Sequence, residues 1–503
     1  MIALRKLYER LVEAGLLRKK RGGLENIRID HLAHDSRKVG PGGLFVAVRG
    51  EKADGHLFID KAVQNGAIAI VCEAMPADVA AYARREQRAA GIAWLQVHDS
   101  RAALAELAAA FFGDPSRALK MTGITGTNGK TTTAYLVHHV LAAQGLRAGL
   151  IGTVTYDLGG TRQEATHTTP DALELQRMLR RMVDAGCAAC VMEVSSHALD
   201  QERVRAIDYD VAIFTNLTRD HLDYHRTFEA YFAAKKKLFD RLGAHATALY
   251  NRDDPAGARI VAGTAAQVLS YGQSPEADLR LEVLANRIGG LHLRIDGQER
   301  RFRLVGLFNA YNLAAAYGAG RALGLPPAAV LDALATAPPV PGRFEQLRFA
   351  DGTTVIVDYA HTPDALENVL KTIRVTKSPA ATLWCVFGCG GDRDPDKRRL
   401  MGAIAERYAD RVIVTSDNPR TEDPEKILND IRRGMDRPTE ALWIVDRREA
   451  IRQAAARAAP GDVVLIAGKG HETYQIIGTE KLPFDDREEA RRSFADRGLR
   501  EGG

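Results

Sequence analysis

The stretch that most constrains this chain is TGITGTNGKTTT, residues 122–133. An apolar run, MTGIT, enters two glycines and a Gly-Lys-Thr sequence, and a helical pattern, TAYLVHHVLAAQG, leaves it. A strand that turns at once into a helix, with glycines where backbone must wrap an anion, belongs in an α/β sheet. Gly126 and Gly129 let the chain curl round a phosphate, and Lys130 supplies a point charge. Thr131 offers a hydroxyl suited to Mg2+, and Thr127, Asn128 and Thr132 complete the loop. The strict phosphate-loop pattern has glycine where Ile124 stands, so this is a variant loop. The competing interpretation is a Gly-rich turn with a surface lysine.

At 503 residues the chain exceeds one ordinary core, and three domains are expected at about 150 residues each. Residues 1–117 read as a small α/β unit, closed by the polar, Pro-containing joint FFGDPSRALK. Its first twenty residues, MIALRKLYERLVEAGLLRKK, read as one amphipathic helix without a signal peptide's apolar centre. Residues 118–341 hold the phosphate loop and three further strand-to-loop transitions: CVMEVSSH, YDVAIFTNLT and ATALYNRDD. The Pro-rich APPVPGRFE leads into residues 342–503.

That third unit has four apolar runs ending in polar residues: TVIVDYAHTPD, LWCVFGCGGDRD, RVIVTSDNPR and DVVLIAGKGHE. Helical patterns separate most of them, which predicts a Rossmann-like, doubly wound parallel sheet. Ligands of such sheets bind beyond the carboxyl ends of the strands, so all four polar clusters gather on one edge. The expected fold is therefore three α/β domains: a small N-terminal one, a central phosphate-loop domain with a mostly parallel sheet, and a Rossmann-like C-terminal one.

Sixty-nine basic against 64 acidic residues leave a mild net charge of +5, which does not argue for a nucleic-acid partner but would suit acidic small substrates. No run of about 18 or more uncharged apolar residues predicts a membrane span. Five cysteines, Cys72, Cys187, Cys190, Cys385 and Cys389, suit a reduced, cytoplasmic setting. CAAC, residues 187–190, has redox-motif spacing, but in a strand-like run i and i+3 point to opposite faces.

The sequence resembles the Mur ligases, the ATP-dependent amide-forming ligases of peptidoglycan precursor synthesis. The resemblance spans nearly the whole chain. It rests on TGTNGKT (125–131), DSR (35–37), MEVSSHALDQERV (192–204), NLTRDHLDYH (216–225), GDRD (391–394), DNPR (417–420) and GKGHE (468–472). It is most specific to members that add the third residue of the stem peptide.

The resemblance implies an acid–amino-acid ligase that phosphorylates a carboxylate with ATP and lets an amine displace phosphate. It implies Mg2+, with Thr131, Glu193, His221 and a carbamylated Lys235 as its ligands, and Lys130, Glu193, His221 and Lys235 as the catalytic set. Lys235 lies in the three-lysine run of YFAAKKKLFD, and at 100° per residue those three cannot share a face. ATP would also meet Asn309 in GLFNAYN, Arg343 in PGRFE and Asp358 in DYAHTPD. UDP-MurNAc-L-Ala-D-Glu would meet His34, Ser36 and the loop Glu51, Lys52, Ala53, then His167, Thr168, Thr169, Ser195, Gln201 and Arg203. His34, Glu51, Lys52 and His167 depart from the family's usual residues.

The incoming amino acid is implied by Arg393, Asp417, Asn418, Pro419, Arg420, Gly468 and Glu472. Members that add meso-diaminopimelate carry DNPR, and the arginine answers the distal carboxylate that L-lysine lacks. The implied protein is a cytoplasmic monomer acting on small molecules. Alternatives are the lysine-adding ligase, a folylpolyglutamate synthase relative, and a nucleotide switch that does not ligate. A bland interpretation of DNPR itself is a helix cap with Arg420 paired to Glu422 or Asp423.

Overall fold

The computed structural model describes residues 1–50, 53–76 and 91–501. Its three main sheets have five, eleven and six strands.

The first sheet runs in the order Leu17–Arg21, Ala93–Val97, Ala67–Cys72, Gly43–Val46, His31–Ala33. The amphipathic N-terminus is shorter than its pattern predicts. The helix covers Leu4–Glu13, burying Leu4, Leu7 and Leu11, and Leu17–Arg21 is a strand antiparallel to Ala93–Val97. Gly15, at φ 67°, breaks the helix, because a left-handed residue just past a helix end stops it. A basic run that continues the helical pattern's charge is thus drawn into an edge strand by its neighbour's ladder.

In the eleven-stranded sheet the strand Lys120–Thr125 lies between Ala189–Glu193 and Val211–Phe214, parallel to both. Ala148–Ile151 extends the parallel set on one side, and Thr247–Asn251 and Gln267–Gly272 on the other. Antiparallel pairs close both ends: Thr155–Asp157 with Arg162–Glu164 at one, and at the other Leu279–Arg287, itself parallel to Gln267–Gly272, with Gly290–Ile295 and then Gln298–Phe302. Strand order reverses at Lys120–Thr125, so the loop after it opens into the crevice where such sheets bind ligands. Alternation sends Ile124 to one apolar layer and Met121 to the other.

The third sheet runs Glu345–Arg348, Thr354–Asp358, Val463–Ala467, Leu383–Phe387, Arg411–Val414, Leu442–Trp443. All but the first pair are parallel. The four apolar runs therefore end on one edge, and apolar clusters cover both faces. No helix among the described residues is long and apolar enough to cross a membrane.

Candidate active site

The phosphate loop is built by close approach. A Cβ on Gly126 would lie 1.9 Å from Thr215 Oγ1, and one on Gly129, at φ 86°, 2.4 Å from Asn312 Oδ1. Lys130 Nζ donates to the carbonyls of Gly126 and Thr127, both at 2.8 Å, across the loop's mouth. Burial lowers the Lys130 pKa, while Glu193 and Asp220 oppose that shift. Asn128 is held by Asn216 Oδ1 through its N–H, and its side-chain amide donates to Asp364 Oδ2 at 2.7 Å. Thr127 Oγ1 accepts from the Thr218 N–H at 3.0 Å. Thr132 is buried in the first turn of the helix Lys130–Ala143.

Glu193, 1% exposed, ends its strand beside this loop. Thr131 Oγ1 donates to its Oε2 at 3.0 Å, and Thr153 gives it a backbone N–H at 2.8 Å and a hydroxyl at 3.0 Å. Thr131 and Glu193 thus present adjacent oxygens, the donor set Mg2+ prefers. Thr153 escapes the sequence reading because it lies in an unremarkable GTV segment.

Lys235 is 1% exposed; its Nζ donates to Gly126 O at 2.8 Å and lies 4.6 Å from the Tyr231 ring centre. Burial, helped by Lys130, pushes its pKa well below the ordinary lysine value. Its neighbours diverge as the helical angle predicts: Lys236 bonds Asp240 and Ala262 O, and Lys237 bonds Asp200. His221 sits at φ 53°, its ring centre 4.8 Å from that of His197. Burial, against the pull of Asp220, lowers its pKa to about 4, which keeps the ring neutral and able to ligate. His197 packs in turn on Tyr224 and His225, a cluster visible in the sequence only as spaced aromatics. Among the described residues, no group of three or more His, Cys, Asp or Glu is placed to hold a metal ion by itself.

A cavity of about 440 Å³ opens between the first and second sheets, lined among others by His34, Ala53, Arg101, Asp171, Gln201 and Arg203. Glu51 and Lys52 lie outside the described residues. Ser36 lies outside this lining, buried at the start of a 3-10 turn, with its carbonyl accepting from Asn65. Arg203 donates to Thr169 O at 2.9 Å and to Gln201 Oε1. Thr169 Oγ1 donates to the Glu193 carbonyl and accepts from the Ser195 N–H, while Ser195 caps the helix Ser196–Asp200. Thr168 Oγ1 lies 3.1 Å from Thr153 Oγ1. These contacts form one chain of bonds from the cavity to Glu193. His167 is exposed, its backbone bonded to the Tyr156 hydroxyl.

Arg343 carries the third unit to the phosphate loop: its Nη2 donates to Thr131 Oγ1 at 3.2 Å, and it stacks 4.3 Å from the Tyr359 ring centre. Asp358 accepts the N–H groups of Phe344 and Ala360, and burial raises its pKa, so it shapes the loop that aims Arg343. Asn309, 2% exposed, donates to Val305 O and accepts from Asn312, the residue beneath Gly129. His471 bonds the Thr153 backbone, and burial with Arg343 nearby holds its pKa down at about 3.

Beyond the strands Arg411–Val414 and Val463–Ala467 lies a charge cluster. Lys469, 0% exposed, donates to Asn418 Oδ1 and Glu472 Oε2, both at 3.0 Å, with Asp417 Oδ1 at 3.7 Å. Asn418 also donates to Glu472. Asp417, Glu472 and Lys469 together carry one net negative charge, which matches a single ammonium. Arg420, at φ 52°, places Nη1 2.8 Å from Gly391 O, and Pro419, buried, delivers it. Gly468, at φ 118°, passes close to Asp417 Oδ2. Arg393 is exposed above, with Nη1 on Asp392 O. The helix-cap interpretation of DNPR fails: Arg398 takes Glu422 at 2.8 Å, and Asp423 caps the next helix. Lys469 was legible, as a lysine between glycines at a strand end; Arg398 and Asp364 carried no local signal.

A phosphate loop at a switch point, met by the charged strand ends of a second parallel sheet, defines a nucleotide-dependent enzyme with a second, charged substrate. The Mur ligase middle domain matches residues 124–320, the Mur ligase glutamate ligase domain residues 342–470, and the Mur ligase family catalytic domain residues 28–112. The chain belongs to the Mur ligase family. It is 46% identical over 475 residues to the UDP-N-acetylmuramoyl-L-alanyl-D-glutamate–2,6-diaminopimelate ligase of Parabacteroides distasonis, covering 94% of this chain and 96% of that one. A solved structure titled as the same ligase matches with TM-score 0.69 and 33% identity, covering 99% of both chains. The ADP- and AMPPCP-complexed folylpolyglutamate synthase of Mycobacterium tuberculosis matches with TM-score 0.60 and 21% identity over 73% of this chain and 92% of that one, which shows a shared fold.

Proposed function

We propose that this chain joins meso-2,6-diaminopimelate to the D-Glu γ-carboxylate of UDP-MurNAc-L-Ala-D-Glu, with ATP as co-substrate, in peptidoglycan precursor synthesis. The observation that carries it is convergence. Arg343 bonds Thr131 of the phosphate loop, while two strand ends of the third sheet present Arg420, Asn418, Lys469 and Glu472. The relative from Parabacteroides, 46% identical, favours this reaction over lysine addition.

The γ-phosphoryl group passes from ATP to a carboxylate oxygen. The amine nitrogen then attacks the acyl carbon, the C–O bond to phosphate breaks, and inorganic phosphate and a proton leave. Lys130 and the loop N–H groups hold the phosphates in line, and the third unit holds the amine against the acyl carbon. Mg2+ would be held by Thr131 and Glu193 and, at a second position, by His221; bound there it neutralises the meeting anions. Lys235 supports carbamylation, because burial lowers its pKa and so favours the neutral amine, whose lone pair adds to CO2. Gln201, Arg203, Thr168, Thr169, Ser195, His34, Ser36, His167 and the 51–53 loop bind the nucleotide-sugar in this scheme. Asn309 serves the adenine side, and Asp358 acts through Arg343. The enzyme works as a cytoplasmic monomer.

The test is phosphate release with each substrate omitted in turn. Release requires all three, and diaminopimelate outcompetes L-lysine. Release at full rate without an amino acid would refute the reaction.

A further inference from the structure

The proposed amino-acid site is assembled from two strands that do not touch. Arg411–Val414 delivers Asp417–Arg420, and Val463–Ala467 delivers Gly468–Glu472, with Leu383–Phe387 between them. Two strand spacings separate them by about 10 Å, and twist accumulates at roughly 20–25° per strand. The two strands share no ladder of their own; each pairs with Leu383–Phe387, and past the strand ends no ladder joins the two halves of the site.

Within the site the halves meet through Asn418, Lys469 and Glu472; beneath it, a further side chain crosses from one strand end to the other. Arg447, 1% exposed, donates from Nη1 to Ser416 O at 3.3 Å and from Nη2 to Ala467 O at 3.0 Å. Those carbonyls belong to the residues immediately before Asp417 and Gly468. Its other donors meet Asp486, 0% exposed, with Nε at 2.8 Å from Oδ1 and Nη2 at 2.7 Å from Oδ2. Arg447 is the first residue of the helix Arg447–Arg457, where a cation opposes the helix dipole. A buried ion pair is also a poor stability device compared with apolar packing. Neither local helix formation nor net stability accounts for a guanidinium here; a planar fork with several fixed donors does, because it can bind both carbonyls and a carboxylate together.

We propose that Arg447, oriented by Asp486, is a positioning residue that fixes the spacing between the DNPR and GKGHE halves of the amino-acid site. It touches no substrate. It sets how the ammonium cluster of Asp417, Lys469 and Glu472 stands relative to Arg420, and so how sharply the site separates a diamine with two carboxylates from one with a single carboxylate. The inference rests on the amino-acid assignment made above.

The experiment uses the full chain as Arg447→Lys, Asp486→Asn and the double variant Arg447→Met/Asp486→Leu, with melting temperature and KM for each of the three substrates. In Arg447→Lys and Asp486→Asn the diaminopimelate KM rises tenfold or more, while ATP and nucleotide-sugar KM stay within about twofold. The kcat/KM preference for diaminopimelate over L-lysine falls tenfold or more. The double variant, which replaces the ion pair with apolar volume, restores the melting temperature without restoring the diaminopimelate KM. An equal rise in all three KM values, a folded variant with unchanged diaminopimelate KM, recovery of that KM in the double variant, or failure of every variant to fold would overturn the positioning role. The wild type separates this result from the amino-acid assignment: a wild type that prefers L-lysine sinks that assignment, and the clamp is then judged on the lysine KM.

Discussion

Replacing Arg420 with alanine tests the proposed amino-acid assignment most directly. The backbone at 420 is pinned independently of the side chain: its N–H donates to Ile476 O at 3.1 Å and its carbonyl accepts from Gly478 at 2.8 Å. The side chain's short protein bond is Nη1 to Gly391 O at 2.8 Å. Stability should therefore change little, with one hydrogen bond of about 0.5–1.5 kcal/mol removed. A guanidinium has five donors, enough for a two-point grip on a substrate carboxylate. Two charge-assisted bonds at about 1.5–3 kcal/mol each amount to roughly 3–6 kcal/mol, or about 10²- to 10⁴-fold in kcat/KM for diaminopimelate. L-Lysine, lacking the distal carboxylate, should lose less than tenfold, and the KM for ATP should not move. Coupled phosphate-release kinetics with both amino acids, beside a thermal melt, give all four quantities. Equal losses for diaminopimelate and lysine, or a matching rise in the ATP KM, would refute the assignment.

Other outcomes follow from the same contacts. Glu193→Gln keeps its partners Thr131 and Thr153 in reach but removes the charge, so the Mg2+ concentration for half-maximal activity should rise at least tenfold while nucleotide-sugar binding, measured by calorimetry, holds. Gly126→Ala places a Cβ 1.9 Å from Thr215 Oγ1 and should cost about 1–3 kcal/mol of stability as well as ATP binding, read by melting with and without nucleotide. Lys235 should carry the mass of one added CO2 in native mass spectrometry, and the adduct should be lost on acidification. His471, held at about 3 against an ordinary 6.5, is neutral in the folded chain while the unfolded chain protonates. Its contribution to stability is complete above pH 6.5 and is lost as pH falls toward about 3. His471→Gln should flatten that acid limb of the melting curve.

The sequence by itself determined the phosphate loop, the four strand ends of the third sheet, and the family. These depend on local rules: glycine where backbone must approach an anion, alternating strand and helix, and polar residues where a parallel strand stops. It also anticipated that the three adjacent lysines could not all face the site, since helical angle alone decides that. The tertiary structure decided the rest. The basic run at Leu17–Arg21 became a strand because Ala93–Val97 offered a ladder, which no local propensity encodes. Thr153 reached Glu193, and Asp364 the phosphate loop, only because segments 40 and 236 residues apart in sequence meet. Arg447 is an ordinary helix arginine in the sequence; its burial between Ser416, Ala467 and Asp486 appears only when three separate elements pack together. Local chemistry is written in neighbouring residues, whereas the distances between site halves are set by which strands the chain leaves unpaired and what it packs across them.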